Sequence, residues 1–178
     1  MKKRKHRQLV IDASVARASG YQEEMASRSR TCSDFLMAVY EFKHKLVMTE
    51  EISAEWEKHA SRFAKRWKAS MIAKKQFVYI IPQKRNDLFQ KLKMIFPSNT
   101  ICTEIDKDMR LLEAAMSTDR LIASLDDEIR KIFAKSSKTV QEISNIEWVN
   151  PEKDDEKTLE WLKTGAKPEK KRMLVNFT

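Results

Sequence analysis

Two short apolar runs in this chain each end on an aspartate: Leu9-Val10-Ile11-Asp12 near the start, and Leu121-Ile122-Ala123-Ser124-Leu125-Asp126 far downstream. A short apolar run without alternation reads as a strand buried on both faces of a parallel sheet. In open α/β sheets, ligands bind just beyond the carboxyl ends of such strands, and both aspartates fall there. Carboxylates that share a crevice repel each other unless protons or a cation intervene, so the pattern points first to a divalent metal site.

The rest of the composition narrows the architecture. With two Gly and four Pro in 178 residues, the chain is poor in the turn formers that an all-β sandwich needs, and its 42% hydrophobic content supports one core of ordinary size. An α/β class follows, with helices around a few buried strands. Cys32 and Cys102 form no metal-ligand spacing, and without a secretory signal they suggest a reducing, cytoplasmic setting rather than a disulfide framework. No apolar stretch approaches the ~20 residues of a membrane helix, so a soluble protein with no membrane association is expected. The net charge of +9 suits a polyanionic partner without naming one. Residues 1–7, MKKRKHR, read as a basic N-terminal arm, laid on phosphates or simply solubilising. No targeting peptide is expected, because Asp12 and the buried strand interrupt any amphipathic presequence.

Ser33 is a plausible N-cap for a helix over Asp34 to His44, and Lys45 to Met48 reads as a second strand. Thr49 can cap a long helix in which Ile52, Trp56, Phe63 and Trp67 recur at helical spacing. Gln76 to Ile81 reads as a strand stopped by Pro82, and Leu88, Leu92 and Ile95 as a helix ending before Pro97. Asp106 to Met116 reads as a helix, as does the Ile129-Ile132-Phe133 segment, and Asn145 to Val149 as a last strand closed by Pro151. Residues 152–178 form a charged C-terminal extension that is either a short helix packed on the core or a partly ordered tail.

Among helical acids, those sharing a face with apolar residues are informative. Asp108 precedes Leu111, Leu112 and Ala115 by three, four and seven positions, which puts it on the buried side of its helix near the N-terminus. Glu55 follows Ile52 by three and adjoins Trp56, at the edge of an apolar stripe. Each assignment has a rival. Asp12 could cap the next helix, and Asp127 competes with Asp126. Glu50, Glu51 and Glu57 compete with Glu55, and Glu104 and Asp106 with Asp108.

Taken in order, Leu9-Val10-Ile11-Asp12-Ala13-Ser14-Val15, Ile52-Ser53-Ala54-Glu55, Asp108-Met109-Arg110-Leu111-Leu112-Glu113-Ala114-Ala115 and Ile122-Ala123-Ser124-Leu125-Asp126 resemble the four motifs of the PIN-domain nucleases. The resemblance covers about residues 8–151 and implies a three-layer α/β/α sandwich with a central, mostly parallel sheet. It also implies Mg²⁺- or Mn²⁺-dependent endoribonuclease activity, with Asp12, Glu55, Asp108 and Asp126 as catalytic and metal-ligating residues. Ala13 replaces the hydroxyl residue common after the first acid, and two segments, residues 17–30 and 70–103, are longer than in compact toxin-like members. Ser14 would donate to a carboxylate or touch the scissile phosphate. Lys58, Arg62, Lys65 and Arg66 could form a phosphate track for RNA, with a solvated charged face as the alternative. Trp56 and Trp67 fit core packing better than base stacking. An antitoxin-like or other protein partner and a homodimer are compatible with the resemblance. Two other functions remain open: a catalytically inactive PIN-like RNA-binding or protein-interaction module, and a phospho-acceptor switch at Asp12 served by Lys135 or Lys138.

Overall fold

The computed structural model describes residues 6–20 and 28–177. Five parallel strands form one sheet in the order β3-β2-β1-β4-β5, with β1 at Gln8–Ile11, β2 at Lys45–Met48, β3 at Phe77–Tyr79, β4 at Leu121–Ala123 and β5 at Glu147–Val149. The apolar runs that mark β1, β2 and β4 are fully buried from Leu9, Leu46 and Leu121 onward, as expected of strands covered on both faces. Register is fixed by pairs such as Val10↔Val47 and Val10↔Ile122, so β1 is central although it comes first in the chain.

Among the described residues, eight α-helices cover the sheet: α1 (Ala13–Ala18), α2 (Arg28–Glu41), α3 (Glu50–His59), α4 (Arg62–Ala73), α5 (Asn86–Ile95), α6 (Asn99–Met116), α7 (Asp127–Ser137) and α8 (Thr158–Lys163). Helices α1–α4 pack among themselves and take in α8, while α5, α6 and α7 pack against one another. Two layers on opposite faces are what right-handed crossovers produce when the chain winds outward from a central strand in both directions. The molecule is an α/β/α sandwich with an all-parallel sheet.

Several local expectations change. The long helix read from Thr49 to Trp67 is two helices, capped separately by Thr49 and Ser61, whose side chains accept from Ile52 N and Ala64 N. Trp56 and Trp67 meet across the break, ring centroids 6.1 Å apart, and Trp56 Nε1 donates to Ile11 O at 2.9 Å. Both indoles are core, which removes them as base-stacking platforms. Ser33 lies inside α2 rather than capping it, and its hydroxyl donates to Ser19 O. The basic arm does not extend to residue 7, because Arg7 is buried: its Nη1 donates to Glu147 Oε2 at 2.5 Å and to Ala166 O at 2.8 Å. Residues 1–5 of that arm, and the part of the long 17–30 segment from 21 to 27, lie outside the described residues.

The C-terminal extension packs on the core through Trp161, Leu162, Ala166 and Leu174, all buried. His44 ties it to the N-terminus. Arg7 N donates to His44 Nδ1 at 3.1 Å, so the proton sits on Nε2, which lies 2.9 Å from Leu162 O. Burial, joined by the nearby His6 and Arg7, holds the imidazole pKa below 6.5 despite the bond to Leu162. The unfolded chain therefore binds this proton more readily than the folded one. Stability from this group is complete above pH 6.5 and falls as the pH drops toward and through the depressed value. Urea unfolding of the wild type and of His44→Gln at about pH 7.5 and about pH 5 isolates this loss: relative to the variant, the wild type is expected to lose stability at the lower pH.

Candidate active site

The site forms where strand order reverses. From β1 the chain leaves into α1 on one face, and from the adjacent β4 it leaves into α7 on the other, opening a crevice at the carboxyl ends of these two strands. Asp12 and Asp126 stand on its two sides, each at the N-cap of its helix. Capping and a chemical role are compatible here, because each cap uses one carboxylate oxygen. Asp126 Oδ1 accepts from Glu128 N and Ile129 N, and Asp12 Oδ2 accepts from Ser14 N at 3.3 Å. Among the described residues, no hydrogen bond reaches Asp12 Oδ1 or Asp126 Oδ2.

Two serines hold Asp12 in place. Ser14 Oγ and Ser124 Oγ donate to Asp12 Oδ2 at 2.5 and 3.2 Å. Ser14 Oγ also accepts from Leu125 N at 3.1 Å, and Ser124 Oγ from Asp126 N at 3.2 Å. These bonds lock the end of β1 to the end of β4 and fix the direction of the Asp12 carboxylate. Ser14 thus donates to a carboxylate, as expected, and Ser124 is an equal partner that the sequence marked only as part of a motif.

Asp108 enters from α6. Burial pushes its carboxyl up, Arg110 pulls it down, and the charges of Asp12, Asp126 and Glu104 raise it further, to about 7. Its Oδ1 lies 3.4 Å from Arg110 Nη2. The charges of Asp12 and Asp126 thus reach Asp108 on a third element. Asp127, the rival of Asp126, is committed elsewhere. Burial pushes its carboxyl up, but hydrogen bonds from Lys153 and Asn150 outweigh this and hold it below its ordinary value; Lys153 Nζ is 2.9 Å from Oδ2.

Glu55 stands apart from the three aspartates. Its carboxylate is 3.5 Å from both Lys58 Nζ and His59 Nε2 on its own helix, and it lines a cleft between α3, α5 and α6. Two of its rivals are paired as well, Glu51 with Lys84 and Glu57 with Lys68. Because α3 ends at His59, Lys58 belongs to a different helix from Arg62, Lys65 and Arg66, and the four do not run along a single helix. All four are exposed. Arg110, beside Asp108, is the cation that sequence reasoning passed over; its position two residues after Asp108 was the available signal.

The donor set fits a hard divalent cation by type and charge: three carboxylates, with Arg110 as the neighbouring cation that offsets Asp108. Among the described residues, no three acids, histidines or cysteines converge closely enough to ligate one ion as the side chains stand. A scan against protein families, a search of curated proteins and a search of solved structures each found no match. No helix among the described residues is long and apolar enough to cross a membrane.

Proposed function

We propose that this chain is a metal-dependent endoribonuclease of the PIN type, hydrolysing phosphodiester bonds of single-stranded or structured RNA. The observation that supports the reading is the placement of Asp12 and Asp126 at the carboxyl ends of β1 and β4, where strand order reverses, with Asp108 of α6, raised to about 7 chiefly by burial, near enough to feel the charge of both. Those three residues would hold Mg²⁺ or Mn²⁺, with Glu55 at the edge of the site. The ion would supply charge neutralisation and a water of lowered pKa.

The chain's own residues account for the rest. Ser14 and Ser124 aim Asp12 and keep its orientation against repulsion from the other acids. Arg110, 3.4 Å from Asp108 on the same helix, would offer a guanidinium to a phosphodiester oxygen. Exposed Lys58, Arg62, Lys65 and Arg66 add sequence-independent attraction for the RNA backbone.

A second reading is a PIN-like RNA-binding or protein-interaction module without catalysis. It is favoured by the capture of Glu55 by Lys58 and His59. One pair of measurements separates the two. Under the nuclease reading, Mn²⁺ raises the thermal midpoint of the wild-type chain in a concentration-dependent way and supports cleavage of a single-stranded RNA. RNA binding without cleavage at any Mn²⁺ concentration supports the module.

A further inference from the structure

The cleft between α3, α5 and α6 is large enough for a heteroaromatic ring. It has a volume of about 420 Å³, within the range of about 300–1,000 Å³ usual for small-ligand sites. Phe89 of α5 and Met109 of α6 give it an apolar wall, and Glu55, Asp106, Lys107 and Arg110 give it a polar rim. Asp106, Met109 and Arg110 lie at helical spacing on one side of α6, so carboxylate, apolar contact and guanidinium face the same space. Arg110, which lines the cleft, also lies 3.4 Å from Asp108.

We infer that this cleft is a guanine-binding subsite, taking the base next to the phosphodiester held at the aspartates. The inference rests on the nuclease reading for its place in catalysis, and on the cleft alone for binding. An unpaired base is recognised by stacking on an aromatic ring and by hydrogen bonds to its Watson–Crick edge. Guanine presents two neighbouring donors, N1–H and N2–H, beside one acceptor, O6. A carboxylate accepts both donors, and an adjacent cation donates to O6, roles open to Asp106 and Lys107; Arg110 already donates to Lys107 O and lies 3.4 Å from Asp108. Adenine, cytosine and uracil each put an acceptor or a lone donor where the carboxylate asks for two donors, and an unpaired polar edge is penalised on desolvation.

Neutral nucleosides test the inference without help from the basic exterior. Guanosine, adenosine, cytidine and uridine are titrated into the ¹⁵N-labelled full chain without metal, and amide shifts are followed. Guanosine is expected to saturate, with shifts concentrated around Phe89 and Met109, and the other three to bind at least about tenfold more weakly. Phe89→Ala, checked for folding by circular dichroism, is expected to weaken guanosine by about tenfold or more. Asp106→Asn, at an exposed position that leaves the core intact, is expected to erase the preference for guanosine over adenosine.

Equal binding of all four nucleosides, no saturable binding, or indifference to both Phe89→Ala and Asp106→Asn overturns the subsite. RNA cleavage by a chain that binds no guanosine removes the subsite and leaves the nuclease standing. Guanosine binding by a chain that never cleaves RNA does the reverse.

Discussion

Asp12→Asn is expected to lower Mn²⁺-dependent RNA cleavage by about two to three orders of magnitude, roughly 3–4 kcal/mol of transition-state stabilisation, while the chain stays folded. The substitution isolates charge from structure. Asparagine caps helices about as well as aspartate, and its carbonyl oxygen can still accept from Ser14 and Ser124, whose bonds join β1 to β4. What disappears is one negative charge beside Asp108. Because Asp108 titrates near 7 in the folded chain against an ordinary 3.8, the folded state holds more protons than the unfolded one across that interval. The contribution of Asp108 to the stability of the metal-free chain is therefore lost as the pH rises through it, opposite in sign to that of His44. Asp12→Asn removes part of the cause and should flatten the slope, so the variant is less active yet no less stable at neutral pH. Urea unfolding across this range, run beside cleavage assays, reads both effects. A variant that cleaves like the wild type removes Asp12 from the chemistry, and one that unfolds makes Asp12 a structural cap.

The largest stability effect is expected at Glu156. Its Oε1 accepts from Arg130 Nη1 at 2.5 Å, its Oε2 accepts from Asn150 N at 3.1 Å and lies 3.5 Å from Arg172 Nη1, and its backbone oxygen accepts from Arg172 Nη2 at 2.6 Å. Both arginine side chains are 3% exposed, and each also lies over an aromatic ring, Phe177 for Arg130 and Trp161 for Arg172. Glu156→Ala leaves two buried guanidinium groups short of their shared counter-charge. Breaking a buried pair in this way costs about 3–5 kcal/mol, a large part of the 5–15 kcal/mol that typically separates folded from unfolded chains. Glu156→Gln keeps an acceptor and is expected to lose less. Arg130 also binds Trp148 O and sits on α7, whose N-cap is Asp126. The damage therefore reaches the crevice, and a fall in Mn²⁺ affinity should accompany the fall in stability.

The parts of this fold that were legible in the sequence are those governed by burial on both faces. Leu9 to Ile11, Lys45 to Met48 and the start of the Leu121 run were recognisable because every residue between turns had to be apolar. Their terminal acids were conspicuous for the same reason. The break between α3 and α4 was hidden, since Ile52, Trp56, Phe63 and Trp67 keep helical spacing across Ala60 and Ser61, and neither Gly nor Pro marks the turn. Glu55 shows a different limit. Its spacing places it correctly at the rim of an apolar stripe, but the same helix offers Lys58 and His59 one turn later, and sequence spacing cannot weigh those local cations against a distant crevice. Arg7 was unreadable because it sits at the end of a basic run and its partner, Glu147, lies 140 residues away.

The central position of β1 has a consequence in time. Its partner β2 follows within a few dozen residues, whereas β4 joins it only when Val10 meets Ile122, a long loop closure that favours slow, late docking. A nascent chain can assemble the first three strands while still on the ribosome, yet the Ser124 bond to Asp12 and the charge of Asp126 do not exist until that part of the chain has been made. The crevice is thus completed only once β4 has been made and docked beside β1.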